Sequence, residues 1–145
     1  MAAGFTIETK HIEVFRERIS KYAASQITDN LLTRQVEIEC ELETSDMTYE
    51  NLKVIEKFEP YGVGNPRPHF LTRGMTVENI RTVGQDSKHV KLQVDGVSAI
   101  GFNMGDIKSE LRPGYQVDLV YSLAQDKYEG NNSIQLKIKD LNLAN

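Results

Sequence analysis

The sequence predicts an α+β chain in which an incomplete β-α-β-α piece is followed by a closed barrel of five strands. Three observations carry this: one apolar helix face in the first third, a proline- and glycine-dense run at 60–68, and period-2 alternation from about residue 70 onward. The 145 residues fit one ordinary domain or two small ones and exclude a large multilayered enzyme.

Thr6-Ile7 reads as a short strand. Ile12, Phe15, Ile19, Tyr22, Ala23 and Ile27 then recur at helical spacing, which predicts a helix over about 11–27. Val36, Ile38, Cys40 and Leu42 alternate with Gln35, Glu37, Glu39 and Glu41, a strand with one wet, acidic face and with Cys40 as a small buried hydrophobe on the other. Thr48 caps a second helix that carries Leu52, Ile55 and Phe58 on one side. Two strands do not make an independently stable sheet. This piece therefore reads as the end of a larger domain, with a dimer through exposed strand edges as the alternative. The ten residues from Glu59 to Pro68 hold three prolines and two glycines, which no helix or central strand tolerates. The predicted organisation is 1–59, a linker at 60–68, and a second domain at 69–145.

In that second domain, strands are expected at about 70–83, 88–95, 97–104, 115–124 and 133–143. A helix over 105–111 has Asp106 as its cap and Pro113-Gly114 as its stop. The order β-β-β-α-β-β is that of a five-stranded Greek-key barrel of the OB type, and the helix after the third strand favours it over an SH3-like barrel. The turn at Asp95-Gly96 admits two registers. A two-residue type I′ hairpin pairs Lys91 with Ile100 and His89 with Phe102, and sets both large side chains outward. A three-residue loop turns them into the barrel. Burial is worth about 1.5 to 3 kcal/mol for each, which favours the second register and a core Phe102.

Chemistry is sparse in this text. Hydrophobic residues make up 39% and charged residues 26%, with no apolar run long enough for a membrane span, no basic leader, and a single cysteine. These features read as a cytoplasmic protein without disulfides. The net charge of −4 divides unevenly, −5 in residues 1–60 and +1 in 61–145, so a polyanion belongs with the second half. His11, His69 and His89 are isolated, Glu37, Glu39 and Glu41 read as a solvated strand face, and no nucleophile, phosphate-loop or metal motif is present. The chain therefore reads as a binding module with no cofactor of its own. Its expected partner is single-stranded nucleic acid on the face of the second and third barrel strands, between the loops at 84–87 and 124–132. The candidate contacts are Arg67, Arg73, Arg81, Lys88, His89, Lys91 and Lys127, with Tyr128 as the residue that stacks on a base.

Two motifs resemble a known family. Ala2-Ala3-Gly4 resembles the end of the Gly-Gly-His-x-x-Ala-Ala-Gly segment of DHHA1 domains, and Glu59-Pro60-Tyr61-Gly62-Val63-Gly64-Asn65-Pro66-Arg67-Pro68 is similar to the linker that precedes the OB domain of RecJ exonucleases. The resemblance implies a 5′ to 3′ exonuclease specific for single-stranded DNA, acting in repair and recombination. Its Mg or Mn would be held by an amino-terminal DHH domain whose motifs are absent from this sequence. That domain would be the chain's second partner. Residues 1–59 would then be the last part of a DHHA1 domain. Two other classes stay open: a protein-interaction module on an OB barrel, and a part of another DHH phosphoesterase acting on short oligonucleotides.

Overall fold

The computed structural model describes residues 4–32, 35–126 and 133–144. The chain divides into two compact units, 1–36 and 37–145. In the first unit, the apolar spacing produces α1 (Ile12–Gln26), followed by the short α2 (Asp29–Leu32). Phe5 rests on Phe15, ring centroids 4.8 Å apart. The strand expected at Thr6-Ile7 does not form; the backbone there is irregular up to a 3₁₀ turn at Thr9–His11.

The second unit is a ring of strands. Its elements are β1 (Cys40–Glu41), α3 (Tyr49–Glu56), β2 (Phe70–Val83), β3 (His89–Val94), β4 (Val97–Gly101), β5 (Gln116–Gln125) and β6 (Ile134–Leu143). The first half of β2 pairs with β5 and its second half with β3, so the order β2-β3-β4-β6-β5 returns to β2 and closes. All of these pairs are antiparallel except β4 with β6, which is parallel. This is the expected five-stranded OB arrangement. Bulges after Thr72 and after Val77 bend β2 so that one strand serves both neighbours, and Gly74 supplies the left-handed φ of +65° at the first.

Alternation fills the ring. Met75, Val77, Val90, Leu92, Val94, Ala99, Val117, Leu119, Tyr121, Leu123 and Leu136 are fully buried, and Met47 and Leu52 cover one end. Tyr121 Oη lies 2.8 Å from Thr72 Oγ1, which also bonds to Leu42 O and so ties β1 to β2. Burial pushes the Tyr121 hydroxyl up to about 12.

Two local expectations are corrected. The strand over 36–42 shrinks to Cys40–Glu41, parallel to β2, and Cys40 is exposed, whereas Leu42 packs against the core. The segment after β4 is a 3₁₀ turn (Gly105–Ser109) that starts from Met104, and Asp106 lies inside its first turn and does not cap it. The run at 60–68 is a braced connection from α3 to β2, inside the second unit. There, the Asn65 side-chain amide donates to Phe58 O and Pro60 O, and Tyr61 Oη donates to Ile55 O. Thr48 caps α3 as expected, accepting from the Asn51 N–H. No helix among the described residues is long and apolar enough to cross a membrane.

Candidate nucleic-acid interface

The turn between β3 and β4 decides what this surface displays. Asp95 and Gly96 have φ of +44° and +76°, both left-handed, as a two-residue type I′ turn requires. Val94 pairs with Val97, Lys91 with Ile100 and Val90 with Gly101. The favoured three-residue register is therefore wrong, and Phe102 leaves the core and is 53% exposed. The inward positions of β4 fall to Ala99 and Gly101, because Met104 folds back over the strand end. A Cβ on Gly101 would sit 2.8 Å from Met104 Sδ and 3.0 Å from Val90 Cγ1. The core is already full there, so the burial argument for Phe102 fails on space.

Outside, the same register lines up side chains in cross-strand rows. Arg81 of β2 pairs with Lys91 of β3, Lys91 with Ile100 of β4, and Ile100 with Lys137 of β6. Partners in register share a face. Three cations and one aliphatic side chain thus cross four strands, over roughly 14 Å at the usual strand spacing. A polar row of Asn79, Gln93, Ser98 and Gln135 runs on one side of it.

On the other side stands an aromatic pair. His89 and Phe102 meet edge to face, with centroids 5.2 Å apart and planes at 70°. The Asn103 N–H donates to His89 Nδ1 at 3.0 Å, which fixes the ring. A Cβ on Gly84 would come within 2.9 Å of His89 Cδ2, and one on Gly105 within 2.1 Å of Ser87 O. The Gly105 N–H donates to Lys88 O. Glycines therefore clamp the 84–88 loop onto the turn that carries Phe102. Asp86, Ser87 and Asn103, each with φ near +56°, gather at the base of the pair, the kind of strain that concentrates at working surfaces.

The predicted contacts do not all meet here. Arg81 and Lys88 border the face. Lys88 is exposed with Asp86 3.5 Å away, and Arg81 is exposed and enters no ion pair among the described residues. Arg67 lies in the connection, stacked on the Tyr61 ring and paired with Glu59 at 2.9 Å. Arg73 is held by Glu41 at 3.0 Å and Asp118 at 3.5 Å beside β1 and β5, and the hydrogen bond to Glu41 is the first cause of its raised pKa. Lys91 occupies the centre of the row, but its ammonium faces the buried Asp126 carboxylate at 3.8 Å. Lys127 and Tyr128 lie outside the described residues.

Lys137 is what reading the sequence missed, and the outward Ile100 and Phe102 belong to the register that it weighed and did not favour. Alternation with the buried Leu136 and Ile138 already turns Lys137 outward. Its neighbour across the sheet is fixed only by the parallel pairing of β4 with β6, which no local pattern encodes.

Comparison with known proteins accords with the fold. Residues 38–140 match the model of the RecJ OB domain. The single-stranded-DNA-specific exonuclease RecJ of Bacillus subtilis is 29% identical over 97% of this chain and 18% of its own length. That of Thermus thermophilus is 28% identical over 97% of this chain and 20% of its own. Crystal structures of the Thermus thermophilus RecJ in complex with Mn²⁺ and with Mg²⁺ superpose with a TM-score of 0.78 at 26% identity, over 98% of this chain and 20% and 22% of theirs. The chain thus spans about a fifth of the length of these relatives.

Proposed function

We infer, for a chain that belongs to the RecJ OB domain family, that the outer face of β3, β4 and β6 holds single-stranded DNA for a longer, RecJ-like exonuclease of repair and recombination. The observation that carries this reading is the exposed Phe102, set edge-on to His89 beside the Arg81, Ile100 and Lys137 row. A base has an apolar face and a charged backbone, and this surface offers a counterpart to each: a ring for stacking and cations for phosphate. Side chains fixed before binding lose little freedom when the strand arrives, which favours even a sparse contact set.

In this reading, Phe102 stacks on a base, and Arg81, Lys88 and Lys137 contact phosphates. Lys127 and Tyr128 keep their proposed places in the loop between β5 and β6. Arg67 and Arg73 act as internal braces. Of residues 1–59, the first unit (1–36) keeps its reading as the end of a DHHA1-like domain, whereas the matched OB model takes in the rest from residue 38.

Hydrolysis is assigned to another part of the longer protein. Among the described residues, no three His, Cys, Asp or Glu side chains gather where they would hold a metal ion. Metal-assisted phosphodiester cleavage needs such a set, so no step of it is routed through these residues. This chain's contribution is to hold and orient the strand.

The test is the salt dependence of binding to oligothymidylate. Each cation that leaves its phosphate contact reduces the log-log slope by about 0.7. Arg81→Ala and Lys137→Ala should each do so, whereas Arg73→Ala, which only releases Glu41 and Asp118, should not. Equal slopes for all three would remove β3, β4 and β6 from the strand's path.

A further inference from the structure

One cleft on the outer face is lined in part by groups that neither stacking nor phosphate binding uses. It holds about 200 Å³ between β2 and β3, with Asn79, Arg81, Lys91 and Gln93 around it and Leu92 in its wall. Small-molecule pockets begin at roughly 300 Å³, so the space suits part of a nucleotide that the face already holds. The bulge after Val77 decides which side chains reach it. Val77 pairs with Val94, and the next pair is Asn79 with Gln93, so Glu78 is the extra residue on β2. In an unbroken ladder Glu78 would face Gln93 and add a carboxylate to the cationic face. Instead, its Oε1 accepts from the Gly96 N–H at 3.1 Å, at the hairpin turn, and a neutral amide stands two residues before Arg81. In the same polar row, Gln135 donates to Ser98 Oγ at 3.3 Å and to Asp126 Oδ2 at 2.9 Å. Asn79 is exposed and Gln93 half-buried, and neither side-chain amide enters a hydrogen bond among the described residues.

A carboxamide carries an acceptor and two donors. The edge of an unpaired base carries both kinds of group as well, whereas a phosphate only accepts. We propose that Asn79 and Gln93 form a base-edge subsite, in which their amides hydrogen-bond the Watson–Crick edge of one nucleotide of the bound strand. This rests on the single-stranded-DNA reading of that face and deepens it. Four residues of β3 separate His89 from Gln93, about 13 Å, so the base that stacks on Phe102 and the base held by its edge belong to different nucleotides. An amide can turn either its acceptor or its donors toward the base, so thymine, adenine and cytosine all find a partner and no sequence is selected. In a duplex these edges are already paired. The subsite therefore favours single strands over double strands, a choice that phosphate contacts alone do not make.

The experiment compares oligothymidylate of about 16 nucleotides, the upper site size of one such fold, with the same oligomer methylated at N3 of every base. The methyl group removes the N–H donor and blocks the edge, but keeps the ring face and every phosphate. The 145-residue chain should bind the methylated strand about 2- to 10-fold more weakly, the net worth of one hydrogen bond. The double variant Asn79→Ala/Gln93→Ala should bind both strands alike, at the level of the parent on the methylated one. Its salt slope should equal the parent's, since it removes no cation. Equal binding of the two strands by the parent overturns the inference, and so does a double variant that still tells them apart. Thermal melting reports whether the variant folds. If it does not, Asn79→Val/Gln93→Val, whose side chains suit a strand, takes its place and is read in the same way. Failure of the face reading looks different: Arg81→Ala and Lys137→Ala would then leave the salt slope untouched, whichever strand is bound.

Discussion

Phe102 separates stability from binding in one side chain. It is half exposed, and its main neighbour is the His89 ring, so Phe102→Ala should melt close to the parent. Leu92→Ala, at a fully buried position, should cost about 2 to 5 kcal/mol. The same Phe102 variant should lose about 1 to 3 kcal/mol of affinity for single-stranded DNA, the usual worth of one stacked base. Parallel melting and binding curves check both, and a large drop in melting temperature for Phe102→Ala would return the residue to the core. Tyr121 gives the opposite case, a polar group that is wholly internal. Because its folded pKa is raised from about 10 to about 12, the neutral hydroxyl contributes stability that is complete below pH 10 and is lost as pH rises through 12. The loss over that window should be roughly 2 to 3 kcal/mol. Tyr121→Phe should flatten this part of the stability profile, at a cost of about 1 kcal/mol for its hydrogen bond to Thr72 at neutral pH.

At the scale of elements, the β3–β4 hairpin and the turn after it depend on two glycines for different reasons. Gly96 has open space around its missing Cβ but a φ of +76°, so Gly96→Ala should cost about 1 kcal/mol and leave DNA affinity alone. Gly105 has an ordinary φ but no room, and Gly105→Ala should push the 84–88 loop off the Phe102 turn and lower both melting temperature and affinity. Equal effects from the two substitutions would mean that the clamp does not support the aromatic pair. These elements also show what the sequence makes legible. α1, α3 and all five ring strands follow from periodicity and punctuation, because each signal is local. Parity across Asp95-Gly96 was not legible, since it turned on Met104 occupying the space inside Gly101, a contact that apolar spacing does not report. The braces were hidden for a related reason: Arg73 meets Glu41 and Asp118 across 32 and 45 residues, so a chain read in order counts it as an available cation. In the same way, the Asp126 carboxylate 3.8 Å from the Lys91 ammonium cannot be read from sequence order, since 35 residues separate the two.

At the scale of the whole molecule, the question is how much chain the ring needs. The hydrophobic core of the second unit includes Met47 and Leu52, with Leu42, Tyr49 and Ile55 packed against it, all on the amino-terminal side of the 60–68 connection. Thr72 also spends its hydroxyl on Leu42 O. Residues 37–145 carry every one of these contacts, so they should unfold at the same urea midpoint as the full chain and bind oligothymidylate with the same salt slope. Residues 66–145, the piece marked off by the proline-rich run, lose the cover of Leu52 and Met47. At about 1.5 to 3 kcal/mol per buried side chain, this amounts to roughly 3 to 6 kcal/mol. That is a large part of the net stability of a domain of this size, so 66–145 should be partly unfolded at room temperature and bind DNA poorly. Adding back 37–65 within one chain should restore both properties, because the loss is of packing on the ring and leaves the outer face of β3, β4 and β6 unaltered. If 66–145 instead melts with the full chain, α3 and β1 are passengers on a ring that closes without them, and the unit begins at the proline-rich connection.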